Sequence, residues 1–164
     1  MTIFVKNKHT LEIDEFKFRC CIGKNGSTKY KKEGDKKTPK GTFQVENLYF
    51  RKDRLAKPLT LLKCIEIKKD MGWCDDLHFP KKYNKLLKIE KKIKHEKLKR
   101  KDNKYDFLIP IKYNFKKPVT GKGSCIFIHL TKDYKPTAGC IALKEKDFLI
   151  MLKLINKKTK IKIF

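Results

Sequence analysis

The stretch from Gly123 to Leu143, which reads GSCIFIHLTKDYKPTAGCIAL, constrains the fold more than any other part of the chain. Its first half, residues 125–130, is apolar and rich in β-branched and aromatic residues, which predicts a strand. Side chains alternate along a strand, so Cys125, Phe127 and His129 are expected to share one face. His129 then lies at the strand end, on a defined side, where a polar loop begins.

A cysteine follows His129 eleven positions later, at Cys140. Gly139 before it permits an unusual backbone angle or a close approach by another group. Such a turn can present a thiol and direct the N–H groups of Gly139 and Cys140 at one point. Beyond it the spacing predicts a helix with its first turn at 144–147. The apolar residues at helical spacing are Phe148, Leu149, Met151, Leu152 and Ile155.

These residue types can support nucleophilic catalysis. A thiolate is a strong nucleophile, and a nearby histidine can deprotonate the thiol. The same histidine can later protonate a leaving amine, and backbone N–H groups can stabilise an oxyanion. A single cysteine is, however, often a small buried apolar residue, and a histidine at a strand end is often polar surface. The residue types alone leave both interpretations open.

The stretch resembles the catalytic signature of the L,D-transpeptidases, the YkuD domain family. That signature has a histidine, a spacer, Ser or Thr, a variable residue, glycine and cysteine, which match His129, Thr137, Gly139 and Cys140. The spacer is shorter than is common in the family. Ala138 stands where many members carry a second histidine, and Ala142 where many carry Arg or Asn.

Two further stretches resemble the same family. Residues 34–43, GDKKTPKGTF, match a recurring G-D-x-x-T-P-x-G-x-F pattern and are expected to form a scaffolding turn. The G-W-C-D-D segment at 72–76, followed by Tyr83-Asn84, and the form P-T-A-G-C at 136–140 are similar to one subgroup. The resemblance covers about residues 15–164.

The resemblance implies a mainly β, β-sandwich-like catalytic fold with one to three helices, in a single domain spanning residues 1–164. It implies acyl transfer on peptidoglycan stem peptides, in which Cys140 attacks the carbonyl of the third residue and D-Ala leaves. A neighbouring amine then resolves the thioester as a 3→3 cross-link. His129 acts as base and then acid, the amides of Gly139 and Cys140 form the oxyanion hole, and no metal or organic cofactor is needed.

Four residues are candidates for substrate contact. They are Thr137, Asp75, Asp76 and Tyr113. Adjacent aspartates usually point apart, so we expect hydrogen bonds that fix a loop from the Asp75–Asp76 pair rather than a two-carboxylate catalytic pair.

Three other functions remain open. Water instead of an amine could resolve the thioester, which makes the same site an L,D-carboxypeptidase. The fold could also serve as a non-catalytic peptidoglycan-binding module. A net charge of +25 raises nucleic-acid binding as a further possibility. Only four of the 43 basic residues are arginine, the preferred reader of bases and phosphates, and the lysines are spread along the chain. We therefore expect no specific nucleic-acid partner.

The compartment is implied by the resemblance and not by the sequence pattern. The family implies the periplasm or cell envelope, whereas residues 1–6 show no export signal and predict the first strand. No run is long enough for a membrane span. The six cysteines show no zinc spacing, and Cys20, Cys64 and Cys125 are expected to be buried free thiols. The oligomeric state is left open.

The remaining chain predicts short strands and one further helix. Alternation and turn residues place strands at 2–7, 11–22, 42–49, 59–67, 105–113 and 159–164. Pro110 puts its strand at an edge or bulge. The lysine-dense segment 81–102 predicts a helix with a narrow apolar stripe at Leu86, Ile89 and Ile93.

Overall fold

A computed structural model describes residues 1–164, and it is built almost entirely from short strands. It has fifteen strands and one helix, and no helix is long and apolar enough to cross a membrane. The elements are β1 (Thr2–Val5), β2 (Thr10–Ile13), β3 (Phe16–Arg19), β4 (Ser27–Thr28), β5 (Thr38–Pro39), β6 (Gly41–Gln44), β7 (Leu48–Phe50), β8 (Cys64–Glu66), β9 (Met71–Cys74), β10 (Leu86–Lys88), β11 (His95–Lys97), β12 (Phe107–Pro110), β13 (Phe127–Leu130), β14 (Ile141–Leu143), α1 (Glu145–Leu154) and β15 (Lys160–Ile163).

Two five-stranded sheets form the body of the fold, in the orders β3-β2-β1-β15-β6 and β14-β13-β12-β7-β8. Their facing apolar side chains and one side of α1 make a single cluster of 25 buried residues. The buried side of α1 consists of Phe148, Met151 and Leu152, with Glu145 and Asp147 in its first turn. The mainly β, sandwich-like fold and the helix after Cys140 are therefore confirmed.

Strand β13 is buried on both faces, and each face contributes to a different cluster. Ile128 and Leu130 belong to the main core. Phe127 packs instead in a second cluster of eight residues that includes Trp73, Tyr105 and Cys140. The alternation predicted for this strand is thus confirmed, and its second face is the one that carries His129.

The predicted helix at 81–102 is wrong. This segment forms β10 and β11, which pair antiparallel on either side of β9 in a three-stranded sheet. Asn84 has a φ of 53°, which interrupts a right-handed helix, and its side chain is buried. Leu86 is exposed whereas Ile93 is buried, so the expected residues do not form one continuous buried stripe. Lysine favours a helix only weakly, and the backbone hydrogen bonds to β9 outweigh that preference.

Several strand boundaries also differ from the predictions. The run 11–22 folds into the β2–β3 hairpin because Asp14 adopts a left-handed φ of 48°. The run 42–49 is broken between β6 and β7, and in the run 59–67 only β8 is a strand. The G-W-C-D-D segment at 72–76 begins in the central strand β9 and leaves it at Cys74. Pro110 lies at the end of β12, an inner strand rather than an edge.

All six cysteines are free thiols, including the three for which this was predicted. Cys20 is fully buried, whereas Cys64 and Cys125 are partly accessible. The burial expected for Cys64 and Cys125 is therefore only partial.

The contact of α1 with the sandwich predicts a large stability cost for losing one aromatic ring. Phe148 is fully buried and stacks on Phe107 with the ring centroids 5.9 Å apart. We expect Phe148→Ala to lower the free energy of unfolding by about 3–5 kcal/mol, measured by urea denaturation. The matched change Phe16→Ala, at a ring that is 36% exposed, should cost under about 1 kcal/mol. Equal losses for the two variants would contradict this assignment of the core.

Candidate active site

Parallel pairing of β13 with β14 brings His129 and Cys140 to the same place. The register sets Ile128 opposite Ile141 and His129 opposite Ala142. Cys140, just before β14, therefore lies beside Phe127. His129 lies diagonally across from Cys140, on the same face of the sheet. Two residues that are eleven positions apart in sequence thus line one cavity.

The Cys140 thiol is held by the backbone of the neighbouring strand. Its Sγ accepts the N–H of Phe127 at 3.4 Å and donates to the carbonyl oxygen of Cys125 at 3.1 Å. It makes no hydrogen bond to His129. Burial raises the pKa of the thiol to about 12, and the nearby Glu96 carboxylate acts in the same direction. The resting thiol is therefore protonated.

The His129 ring is fixed in one tautomer. Its Nδ1 lies 2.8 Å from the carbonyl oxygen of Leu130, and because a carbonyl only accepts, Nδ1 carries the proton. The Nε2 lone pair is left to accept a proton. Tyr105 packs edge-on against the ring, with the centroids 5.3 Å apart. Burial, together with the weaker effect of the positive charges of Lys104 and Arg100, lowers the imidazole pKa to about 4, so the ring is neutral near pH 7.

The turn before Cys140 depends on glycine. Gly139 has a φ of +146°, and a Cβ added to it would lie 2.9 Å from the carbonyl oxygen of Lys37. Its N–H donates to Thr137 Oγ1 at 3.1 Å, and the Thr137 hydroxyl donates to the Cys140 carbonyl at 2.6 Å. The N–H of Cys140 has no acceptor within the protein. Of the two amides predicted to bind an oxyanion, only that of Cys140 is therefore free.

A residue that the sequence reasoning left as scaffold supports this turn. Thr38, in the GDKKTPKGTF stretch, is fully buried and donates from Oγ1 to the carbonyl oxygen of Gly139 at 2.9 Å. The Thr38 hydroxyl oxygen also accepts the N–H of Gly23 at 2.9 Å. The resemblance of that stretch to the family was the one sequence feature that pointed to Thr38. Residue spacing does not predict a contact between Thr38 and Gly139, which are 101 positions apart.

The cavity has a volume of about 370 Å³, and its lining carries both signs of charge. Near the thiol, the Glu96 carboxylate raises the pKa of Cys140 whereas the Lys31 ammonium lowers it. Near the imidazole, the positive charge of Lys104 lowers the pKa of His129. A ligand that carries both an ammonium and a carboxylate group would find partners of opposite charge in this lining.

The two adjacent aspartates have different surroundings. Asp76 is buried and accepts the backbone N–H groups of His78 and Lys94, at 2.9 Å and 2.8 Å, so it holds its loop together. Asp75 lines the cavity. Its Oδ1 is buried without a donor, and its Oδ2 lies 3.4 Å from the Lys94 ammonium. The structure therefore brings only Asp75 to the site.

Of the other two candidates for substrate contact, one lies in the cavity and one lies outside it. Thr137 lines the cavity beside Cys140. Tyr113 does not: its hydroxyl donates to the Lys122 carbonyl at 2.6 Å and its ring packs edge-on against Phe43. Tyr113 therefore lies outside the site.

The G-W-C-D-D segment supports the chain just before β13. Trp73 packs edge-on against Phe127, with the centroids 5.3 Å apart, and its Nε1 donates to Asn84 Oδ1 at 2.9 Å. The same oxygen accepts the N–H of Cys125 at 3.1 Å. These contacts fix Cys125, whose φ of 54° is unusual for a residue other than glycine. Trp73 and Asn84 thus position the strand from behind the cavity.

The buried neutral imidazole predicts a pH-dependent stability. The His129 pKa is about 4 in the folded protein and 6.5 when unperturbed, so the unfolded chain binds more protons between these values. Stability is therefore lost as the pH falls through this window. We expect the free energy of unfolding to drop by about 2 kcal/mol from pH 7 to pH 5, measured by urea denaturation.

The substitution His129→Gln should remove most of that drop. The control His78→Gln, at a side chain that is 91% exposed, should leave it unchanged. A wild-type protein equally stable at both pH values would contradict the buried neutral state.

Comparison with known proteins identifies the family. The sequence matches the model of the YkuD family, the L,D-transpeptidase catalytic domain, over residues 1–163. No curated protein and no solved structure matches the chain. The match extends over nearly all of the sequence and includes both His129 and Cys140. The chain therefore belongs to the YkuD family of L,D-transpeptidase catalytic domains.

Proposed function

We propose that the protein is a cysteine acyltransferase that forms 3→3 cross-links between peptidoglycan stem peptides through a thioester on Cys140. The observation that carries this proposal is the placement of a thiol, a neutral imidazole and a free backbone N–H around one cavity. These are the nucleophile, the base and the oxyanion donor that acyl transfer needs. The family acts on peptidoglycan, which supplies the substrate class.

In the first half-reaction the thiol gives its proton to Nε2 of His129 as the sulfur attacks the carbonyl carbon of the third stem residue. Because the thiol and the imidazole are both neutral at rest, this transfer accompanies the attack and does not precede it. The C–S bond forms, and the carbonyl electron pair moves onto oxygen beside the Cys140 N–H. Collapse breaks the C–N bond, and the imidazolium protonates the departing amine of D-Ala.

In the second half-reaction an amine from a neighbouring stem attacks the thioester. His129 takes a proton from that amine, a new C–N bond forms and the C–S bond breaks. The sulfur regains a proton from the imidazolium. Apart from the two stem peptides, every step uses groups of this chain, and none calls for a metal or organic cofactor.

The cell envelope is the compartment in which we place this activity, because the family is associated with it and peptidoglycan lies there. The net charge of +25 favours residence on an anionic polymer. We expect no specific binding of nucleic acid, because Arg51, Arg54 and Arg100 each form an ion pair within the chain and are not free to bind phosphates or bases.

Hydrolysis is the nearest alternative, since water could replace the acceptor amine and make the protein an L,D-carboxypeptidase. A non-catalytic peptidoglycan-binding module is the alternative from another class. One assay separates all three. Purified protein is incubated with muropeptides that carry tetrapeptide stems, and the products are resolved by mass.

We expect cross-linked dimers together with released D-Ala, and a thioester adduct on Cys140 in the intact mass. Cys140→Ala should abolish all of these while leaving the fold intact, because the thiol is the only nucleophile proposed. Tripeptides without dimers would establish the carboxypeptidase instead. Absence of any product from the wild-type protein, with retained binding in both proteins, would establish the binding module.

We propose further that Asp75 binds the ammonium group of the third residue, where that residue is a diamino acid. A buried carboxylate oxygen without a donor costs free energy that a ligand donor would recover. Asp75→Asn should raise the KM for tetrapeptide stems about tenfold with little change in kcat.

Acetylating the substrate amine tests the same contact from the other side. It should raise the KM of the wild-type protein and leave that of Asp75→Asn nearly unchanged. Asp70→Asn, at a half-exposed side chain outside the cavity, is the control and should behave as wild type. An equal effect of acetylation on both proteins would contradict the contact.

A further inference from the structure

The peptide unit between Gly139 and Cys140 has a single hydrogen bond within the protein. Its carbonyl oxygen accepts from Thr38 Oγ1 at 2.9 Å, and its N–H, which belongs to Cys140, has no acceptor. Thr137 binds the N–H of Gly139 and the carbonyl of Cys140. Both groups belong to the neighbouring peptide units and not to the one between Gly139 and Cys140. Thr38 is the only side chain that hydrogen-bonds to it.

A planar trans peptide directs its C=O and its N–H to opposite sides. Anchoring the carbonyl oxygen of Gly139 therefore also fixes the direction of the Cys140 N–H. The anchor matters at this position because Gly139, with a φ of +146°, has no Cβ to limit rotation of the plane. A hydrogen bond to the carbonyl also polarises the peptide and strengthens its N–H as a donor.

Thr38 is itself held rigidly. Its side chain is completely buried, and its oxygen accepts the N–H of Gly23 while donating to Gly139. Since a hydroxyl has one proton, the bond from Gly23 leaves that proton for the Gly139 carbonyl. The residue does not line the cavity and so cannot contact a substrate.

We propose that Thr38 is a positioning residue that aligns the Cys140 N–H as the oxyanion donor. This inference rests on the proposed function, because an oxyanion forms only if Cys140 attacks a carbonyl. Loss of the anchor allows the peptide plane to rotate, and the N–H then no longer meets the developing charge. The thiol stays where the Phe127 and Cys125 backbone groups hold it.

The test compares two reactions of the same sulfur. Attack on a tetrapeptide stem passes through an oxyanion, whereas alkylation of Cys140 by iodoacetamide is a displacement at carbon that forms none. Thr38→Val keeps the shape of the side chain and removes the hydroxyl. We expect it to lower kcat on tetrapeptide muropeptides about 10- to 100-fold with KM little changed. The alkylation rate of Cys140, followed by peptide mapping, should stay within about twofold of wild type.

Two variants complete the design. Thr38→Ser keeps the hydroxyl and should restore kcat to near the wild-type value. Thr159→Val removes the hydroxyl of another fully buried threonine, one that accepts a single backbone N–H far from the cavity. It should lose stability without losing kcat. Thr38→Ala serves as the second variant if Thr38→Val does not fold.

The outcomes separate the two proposals. If wild type turns over the muropeptide and Thr38→Val matches it, the positioning role is overturned. Equal losses of turnover and alkylation would also overturn it, since Thr38 would then act on the thiol or the fold as a whole. If wild type forms no thioester and no product, the proposed function fails first, and this inference falls with it.

Discussion

The parallel ladder between β13 and β14 is the interaction on which the site depends. Strands joined by a parallel ladder run in the same direction, so the chain leaves β13 at Leu130 and must return to the other end before entering β14. The intervening loop, 131–140, makes that return and lines the cavity on its way. One register places His129 opposite Ala142, and a shift by a single residue would turn the Cys140 thiol to the opposite face.

Burial sets the protonation states of the proposed nucleophile and base. It raises the pKa of Cys140 to about 12 and lowers that of His129 to about 4, so the resting pair is a thiol and a neutral imidazole. A preformed thiolate would react with oxidants and alkylating agents faster than this neutral thiol does. Nearby charges act in the same direction as burial at both groups, Glu96 on the thiol and Lys104 on the imidazole.

Local periodicity was a reliable guide where one face of an element meets the core. The two-residue period placed Phe127 and His129 on one face of β13, and the helical period placed Phe148 and Met151 on the buried side of α1. It failed at 81–102 because the partner of that segment is β9. Neither the left-handed Asn84 nor the hydrogen bonds to a central strand leave a periodic signal in a lysine-rich sequence.

The sequence by itself pointed to the Cys140 thiol and the His129 ring as the candidate pair. It also predicted the strand that carries His129 and the glycine turn that presents Cys140. Only the tertiary structure decided which amide is free, which carboxylate reaches the cavity and which hydroxyl orients the peptide at Cys140. The reason is physical: side-chain patterns report burial within a few turns of chain. A hydrogen bond such as that of Thr38 to Gly139 joins segments 101 residues apart and depends on tenths of an ångström in the fold between them.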